Sequence, residues 1–103
     1  MDFAGFDWDQ GNRIKCRKHG VSIAEIEAMF AGTVMIASDP AHSAREERFK
    51  AIGAGVEGRK LLVVFTWRIR EGENFIRPVS ARYMHRKEIR AYEKETPSPD
   101  HRR

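Results

Sequence analysis

Lys18 and His19 stand side by side where a helical stretch runs out. Imidazole titrates near neutral pH, so His19 can give or take a proton in a reaction. The same pair also suits a helix C-terminus, where cations favour the dipole. Arg48 and Lys50 alternate with Phe49 and so share one side of a strand. Arg68 closes an apolar run beside Trp67, and Arg77 and Arg82 lie on the last strand-like segment. Guanidinium groups bind phosphate oxygens in pairs. If these strands are antiparallel neighbours, the cations gather on one sheet face; otherwise each is solvated or paired with Glu46, Glu47, Glu71 or Glu73. Glu47 is the carboxylate best placed as a general base, unless it pairs with Arg48 or Lys50. Tyr83 follows Arg82 and can donate to a phosphate oxygen or serve as an edge-strand aromatic. Trp67 can stack on a base, but it shares parity with Leu61, Val63 and Phe65, which favours packing beneath helices. Cys16 and His19 are one turn apart; no second pair exists, so the reading holds no metal and no cofactor.

The elements that must position these groups follow from local signals. Residues 6–8 alternate as a short strand. Asp9 is a helix N-cap, and the helix runs to His19, with Gly20 past its end. Ser22-Ile23-Ala24-Glu25 is a capping box with a Val21/Ile26 staple, opening a helix to residue 31 that Gly32 stops. Strands are predicted over 33–37, 46–53, 60–68 and 75–83, and a last helix over 85–95. Leu61 to Phe65 are apolar on both faces, which marks a central strand. Pro78 lacks an N–H, so its strand lies at an edge or is bulged there. The last helix presents Arg86, Arg90 and Lys94 at four-residue spacing beside Lys87, a stripe for a polyanion, an acidic partner segment or solvent. Two helices, about four strands in an antiparallel meander and a C-terminal helix make an α+β fold. Residues 1–95 form one domain and 96–103, with two prolines and no apolar anchor, a flexible tail.

Composition sets the class. At 103 residues and 41% hydrophobic content the chain suits one small core and excludes large multidomain enzymes. One cysteine excludes a disulfide framework and points to a reducing, cytoplasmic setting; no apolar run approaches a membrane span. The net charge of +4 is uneven: residues 1–42 carry four basic and six acidic side chains, residues 43–103 fifteen and nine. Such asymmetry suits a polyanion, and nucleic acid is the commonest one.

Six segments, in order, resemble the BrnT toxin family: Phe6-Asp7-Trp8-Asp9, Lys18-His19-Gly20-Val21-Ser22, Asp39-Pro40-Ala41-His42, Glu47-Arg48-Phe49 with Ile52-Gly53, residues 59–68, and Ser80-Ala81-Arg82 through Tyr92-Glu93. Pro78 and Tyr83-Met84-His85 depart from the commoner pattern. The resemblance implies a RelE-like fold and a type II toxin that cuts RNA. It also implies a cytoplasmic toxin that inhibits translation and is neutralised by a small DNA-binding antitoxin (BrnA-like) in a heterotetramer. Metal-independent cleavage by 2′-hydroxyl attack needs a base, cations for the phosphorane and an acid for the leaving oxygen. Candidates are His19, Glu47, Arg68, Arg82 and Tyr83 for the chemistry, and Lys18, Arg48, Lys50, Trp67, Arg77, His85 and Arg86 for RNA binding. The other reading is a noncatalytic nucleic-acid- or partner-binding module, including a decayed toxin.

Overall fold

A computed structural model describes residues 2–95. The first helix, α1 (Gln10–Arg17), opens on a reciprocal cap. The Asp9 carboxylate accepts from the Asn12 N–H at 3.0 Å, and the Asp9 N–H donates to Asn12 Oδ1 at 2.7 Å. Asn12 Nδ2 then donates to the carbonyls of Asp7 and Pro78, both at 2.9 Å. One buried amide thus satisfies a helix start and ties the helix to the sheet. The helix ends sooner than predicted. Lys18 is its C-cap, and the Lys18 and Gly20 N–H groups close i→i−3 turns on Lys15 and Arg17 before Gly20 turns the chain at φ +85°. His19 therefore lies in the connection after the helix.

The second helix, α2 (Ile23–Ala31), starts at Ser22, whose Oγ accepts from the Glu25 N–H at 3.0 Å. The predicted capping box is only half formed, because the Glu25 carboxylate faces away from Ser22. Its Oε1 accepts from the Tyr83 hydroxyl and its Oε2 from the Val56 N–H, both at 2.6 Å. A buried carboxylate is stabilised more by two tertiary donors than by one exposed backbone N–H. The staple residues Val21 and Ile26 both enter the core.

Five strands form one sheet: β1 (Gly5–Phe6), β2 (Met35–Ser38), β3 (Phe49–Ala54), β4 (Lys60–Arg70) and β5 (Glu73–Tyr83), in the order β1-β5-β4-β3-β2, followed by α3 (Arg86–Glu95). The four-strand antiparallel meander is as predicted. The sheet is nevertheless mixed, with a fifth strand, because β1 pairs in parallel with the outer edge of β5. That edge is the one the meander leaves open near Phe75 and Ile76. Strand β4 is central, as its two-sided apolar pattern requires. The turn after it is shorter than predicted. Only Glu71 and Gly72 remain, at φ +53° and +81°, the left-handed pair of a two-residue hairpin. Pro78 sits at a bulge: Val64 pairs with Ser80 and Phe65 with Pro78, leaving Val79 extra.

Strand alternation divides the sheet. Ala51, Leu61, Val63, Phe65, Ile76 and Ala81 meet Cys16 of α1 and Ile26, Met29 and Phe30 of α2 in one core. Phe65 is fully buried among the rings of Phe30, Phe49 and Trp67, with centroids 5.4–5.6 Å away. Helices α1 and α2 pack over that core side, and α1 meets the opposite face only at its edge, through Gly11, Asn12 and Lys15. The tail predicted over 96–103 lies outside the described residues.

Candidate nucleic-acid interface

Register decides where the cations point. Arg82 pairs with Leu62, Lys50 with Val64, Arg77 with Thr66 and Phe75 with Arg68. Cross-strand partners project to the same side, and Leu62, Val64, Thr66 and Arg68 alternate with the core residues of β4. Lys50, Arg68, Arg77 and Arg82 therefore all rise from the face that α1 and α2 leave uncovered. Arg48, two residues before Lys50, joins Arg68 and Arg77 around one depression. The cations thus share one face, and Arg48 and Arg68 are at the same time paired with Glu46, one of the carboxylates the sequence offered.

Among the described residues, two depressions lie on this face. The larger, about 710 Å³, has a floor of Ile52, Leu62 and Val64, with Met35 and Ala37 of β2 on one side and Ala91 and Tyr92 of α3 on another. Its polar groups are His19, Asp39, Lys50, Arg82 and Glu88. Arg82 and Glu88 form a two-pronged pair, Nη1 to Oε1 at 2.7 Å and Nη2 to Oε2 at 2.6 Å. The His85 N–H donates to the same Oε1 at 2.8 Å. The Arg82 guanidinium, helped by that N–H, holds the Glu88 carboxyl down to about 2, and Glu88 raises Arg82 in return.

The smaller depression is lined by Lys15, Arg48, Arg68 and Arg77, together with Glu46, Pro78, Val79 and the start of α1. Buried Asp7 lies 2.8 Å from Arg70, 3.6 Å from Arg77 and 4.0 Å from Arg68. Glu46 pairs with Arg68 at 2.9 Å and Arg48 at 3.9 Å, and its hydrogen bond to Arg68 holds its carboxyl below the usual range. Arg77 also reaches Asp9 at 3.0 Å. The Asn12 cap lowers Asp9 first, and Arg77 adds to it.

Other candidates are placed elsewhere. Glu47 is exposed and lines neither depression; its neighbour Glu46 takes the arginines. Tyr83 faces opposite to Arg82. Its hydroxyl is bonded to Glu25, which raises its pKa, and the Arg59 guanidinium lies 3.7 Å above its ring. Trp67 packs edge-on against Phe65 on the core side, at 5.4 Å. Lys18, His85 and Arg86 are exposed and line neither depression. The Arg86, Arg90 and Lys94 stripe is the exposed side of α3.

Glu88, Asp7, Asp39 and Lys15 were not singled out from the sequence as site residues. Lys15 belongs to the basic group Arg13, Lys15, Arg17 and Lys18 around the first helix, which is the signal that could have found it. Glu88, in the first turn of a helix just after a basic strand end, carried a weaker signal. Nothing local marked Asp7, whose arginines are over 60 residues away. Among the described residues no three His, Cys, Asp or Glu side chains gather as metal ligands, and no helix is long and apolar enough to cross a membrane.

Residues 8–88 match the model of a protein family described as "Ribonuclease toxin, BrnT, of type II toxin-antitoxin system". That span includes His19, Lys50, Arg68, Arg82 and Glu88. No curated protein matches the chain.

Proposed function

Because the chain belongs to the BrnT family of ribonuclease toxins of type II toxin–antitoxin systems, we propose that it cuts RNA without a metal ion and thereby inhibits translation. One observation carries this reading: His19, Lys50 and Arg82 line the same groove on the uncovered sheet face. In the proposed reaction the 2′-oxygen bonds to the adjacent phosphorus and the bond from phosphorus to the 5′-oxygen breaks. The 2′-hydroxyl gives up its proton and the departing 5′-oxygen gains one. His19 supplies the groove's imidazole, the side-chain type suited to moving those protons. Lys50 and Arg82 offset the charge that builds on the phosphorane. Two of the five Arg82 N–H donors go to Glu88 and one to the Tyr83 carbonyl at 3.4 Å, which by count leaves two for phosphate.

A type II toxin has an antitoxin partner. Here the partner is proposed to be a small DNA-binding protein like BrnA, assembled with the toxin as a heterotetramer in the cytoplasm. The occupation of Arg82 by Glu88 favours a second reading, a scaffold that binds RNA or antitoxin but does not cut. The two separate on incubation of folded, antitoxin-free chain with RNA in the presence of EDTA. The proposal expects fragments ending in a 2′,3′-cyclic phosphate and a 5′-hydroxyl. Intact RNA overturns cleavage and leaves the binding module.

A further inference from the structure

We propose that the depression lined by Lys15, Arg48, Arg68 and Arg77 is a second phosphate site, distinct from the His19 groove, which holds the backbone of a single-stranded nucleic acid at a non-adjacent phosphate. The proposal deepens the ribonuclease reading and rests on it for the class of ligand. Four independent features converge here.

The cations come from four segments of the chain: α1, the stretch before β3, β4 and β5. No run of surface lysines on one helix would produce this arrangement; the tertiary fold assembles it. Next, the guanidiniums are pre-positioned. Asp7, buried to 9% exposure, touches Arg68, Arg70 and Arg77. A carboxylate shared among three guanidiniums cannot neutralise them, but it fixes them before a ligand arrives, which lowers the ordering cost of binding. Among the described residues, Lys15, Arg48, Arg68 and Arg77 of the depression, with Arg70 beside them, outnumber the carboxylates of Asp7, Asp9 and Glu46 that pair with the arginines, so positive charge is left over.

A donor is also waiting. Arg48 Nε is buried with no hydrogen-bond partner among the described residues, and the guanidinium's ion pair to Glu46 is long, at 3.9 Å. A buried N–H without an acceptor is uncommon and is relieved by a bound anion. Finally, an anion already rests there. Glu46 lies 2.9 Å from Arg68 and is 35% exposed, whereas Asp7 is not accessible. Glu46 Oε2 accepts from Arg68 Nη1, the position a phosphate oxygen would take, and the half-exposed side chain can swing out to solvent.

The spacing fixes the ligand as a chain. The groove's Arg82 pairs with Leu62 and the depression's Arg77 with Thr66, four residues along β4. At strand rise that is roughly 13 Å, more than one step between successive phosphates. A mononucleotide cannot reach both sites; an extended single strand can.

The test uses the full chain and a labelled single-stranded 2′-deoxy octanucleotide, which lacks the attacking hydroxyl and is not cut. Arg48→Ala is expected to weaken binding about tenfold and to flatten the salt dependence by about 0.7 in log–log slope, the loss of one phosphate contact. Glu46→Gln is expected to tighten binding about threefold. A deoxydinucleotide, with one phosphate, is expected to show neither effect. Octamer affinity unchanged in both variants overturns the second site, as does inorganic phosphate binding as tightly as the octamer. If Arg48→Ala does not fold, the sign of the Glu46→Gln effect decides alone. The probe reads the same whether or not the chain cuts RNA. Unchanged octamer affinity with RNA still cut therefore removes the second site only, and the predicted shifts with RNA left intact remove the ribonuclease only.

Discussion

Arg82 and Glu88 meet fork to fork, at 2.7 and 2.6 Å, and so join the end of β5 to the first turn of α3. The guanidinium proposed to receive a phosphate is the same one that anchors the helix bordering the groove. On that proposal, substrate binding and α3 position are linked through one side chain.

That link is sensitive to acid. Glu88 titrates at about 2 in the folded chain against an ordinary 4.5, chiefly because of Arg82. A depressed carboxylate adds stability that is present in full above its unfolded value and is lost as pH falls through the folded one. Between pH 4.5 and 2 the α3 contact is expected to weaken, seen as a change in the Ala91 and Tyr92 NMR signals. Glu88→Gln removes this dependence, while the acid response from Asp9 and Glu46, also lowered, persists.

His19→Ala is expected to slow RNA cleavage by about 10²- to 10⁴-fold, the usual worth of a positioned proton carrier. His19 is exposed, so stability should stay within about 0.5 kcal/mol of wild type. Single-turnover cleavage beside a denaturant melt checks both halves.

Asn12→Ala should be far more damaging than a surface change. It removes the side-chain half of the reciprocal cap, leaving the Asp9 N–H without Asn12 Oδ1, and strands the Asp7 and Pro78 carbonyls. A loss of about 2–4 kcal/mol is expected by urea unfolding.

Tyr83→Phe leaves the Glu25 carboxylate with one tertiary donor, the Val56 N–H. Stability should fall by about 1–2 kcal/mol. Because Tyr83 faces away from the groove, the cleavage rate measured well below the melt should move far less than in His19→Ala. A comparable rate loss would return Tyr83 to the reaction.

Glu71 occupies a left-handed position that a side chain with a Cβ adopts at a cost. Glu71→Asn should stabilise the hairpin by about 0.5–1 kcal/mol, with a raised melting temperature as the readout.

Much of the scaffold was legible because its signals are local. Asp9 and Ser22 announce helix starts, Gly20 and Gly32 follow helix ends, and the double-sided apolar run from Leu61 to Phe65 marks the centre of the sheet. Pro78 announced an edge or a bulge, and the structure has a bulge. The failures were long-range. Glu25 sits at the right offset for a capping box, yet Tyr83, 58 residues away, takes its carboxylate. The short strand predicted at residues 6–8 is found at Gly5–Phe6, but two residues were too weak a pattern to show that it pairs in parallel with β5 as a fifth strand.

The sequence by itself determined which side chains share a side of each strand, since that period of two is local geometry. It therefore determined that Arg48 and Lys50 lie together, and that Tyr83 and Arg82 lie apart. Only the tertiary structure decided that these sides coincide across β3, β4 and β5, that α1 brings Lys15 and the connection after it brings His19 to that face, and that Asp7 gathers three arginines. Register and helix placement are set by how Phe65, Ile26 and their neighbours fill one core. That packing is a property of the whole chain and cannot be read from any window of it.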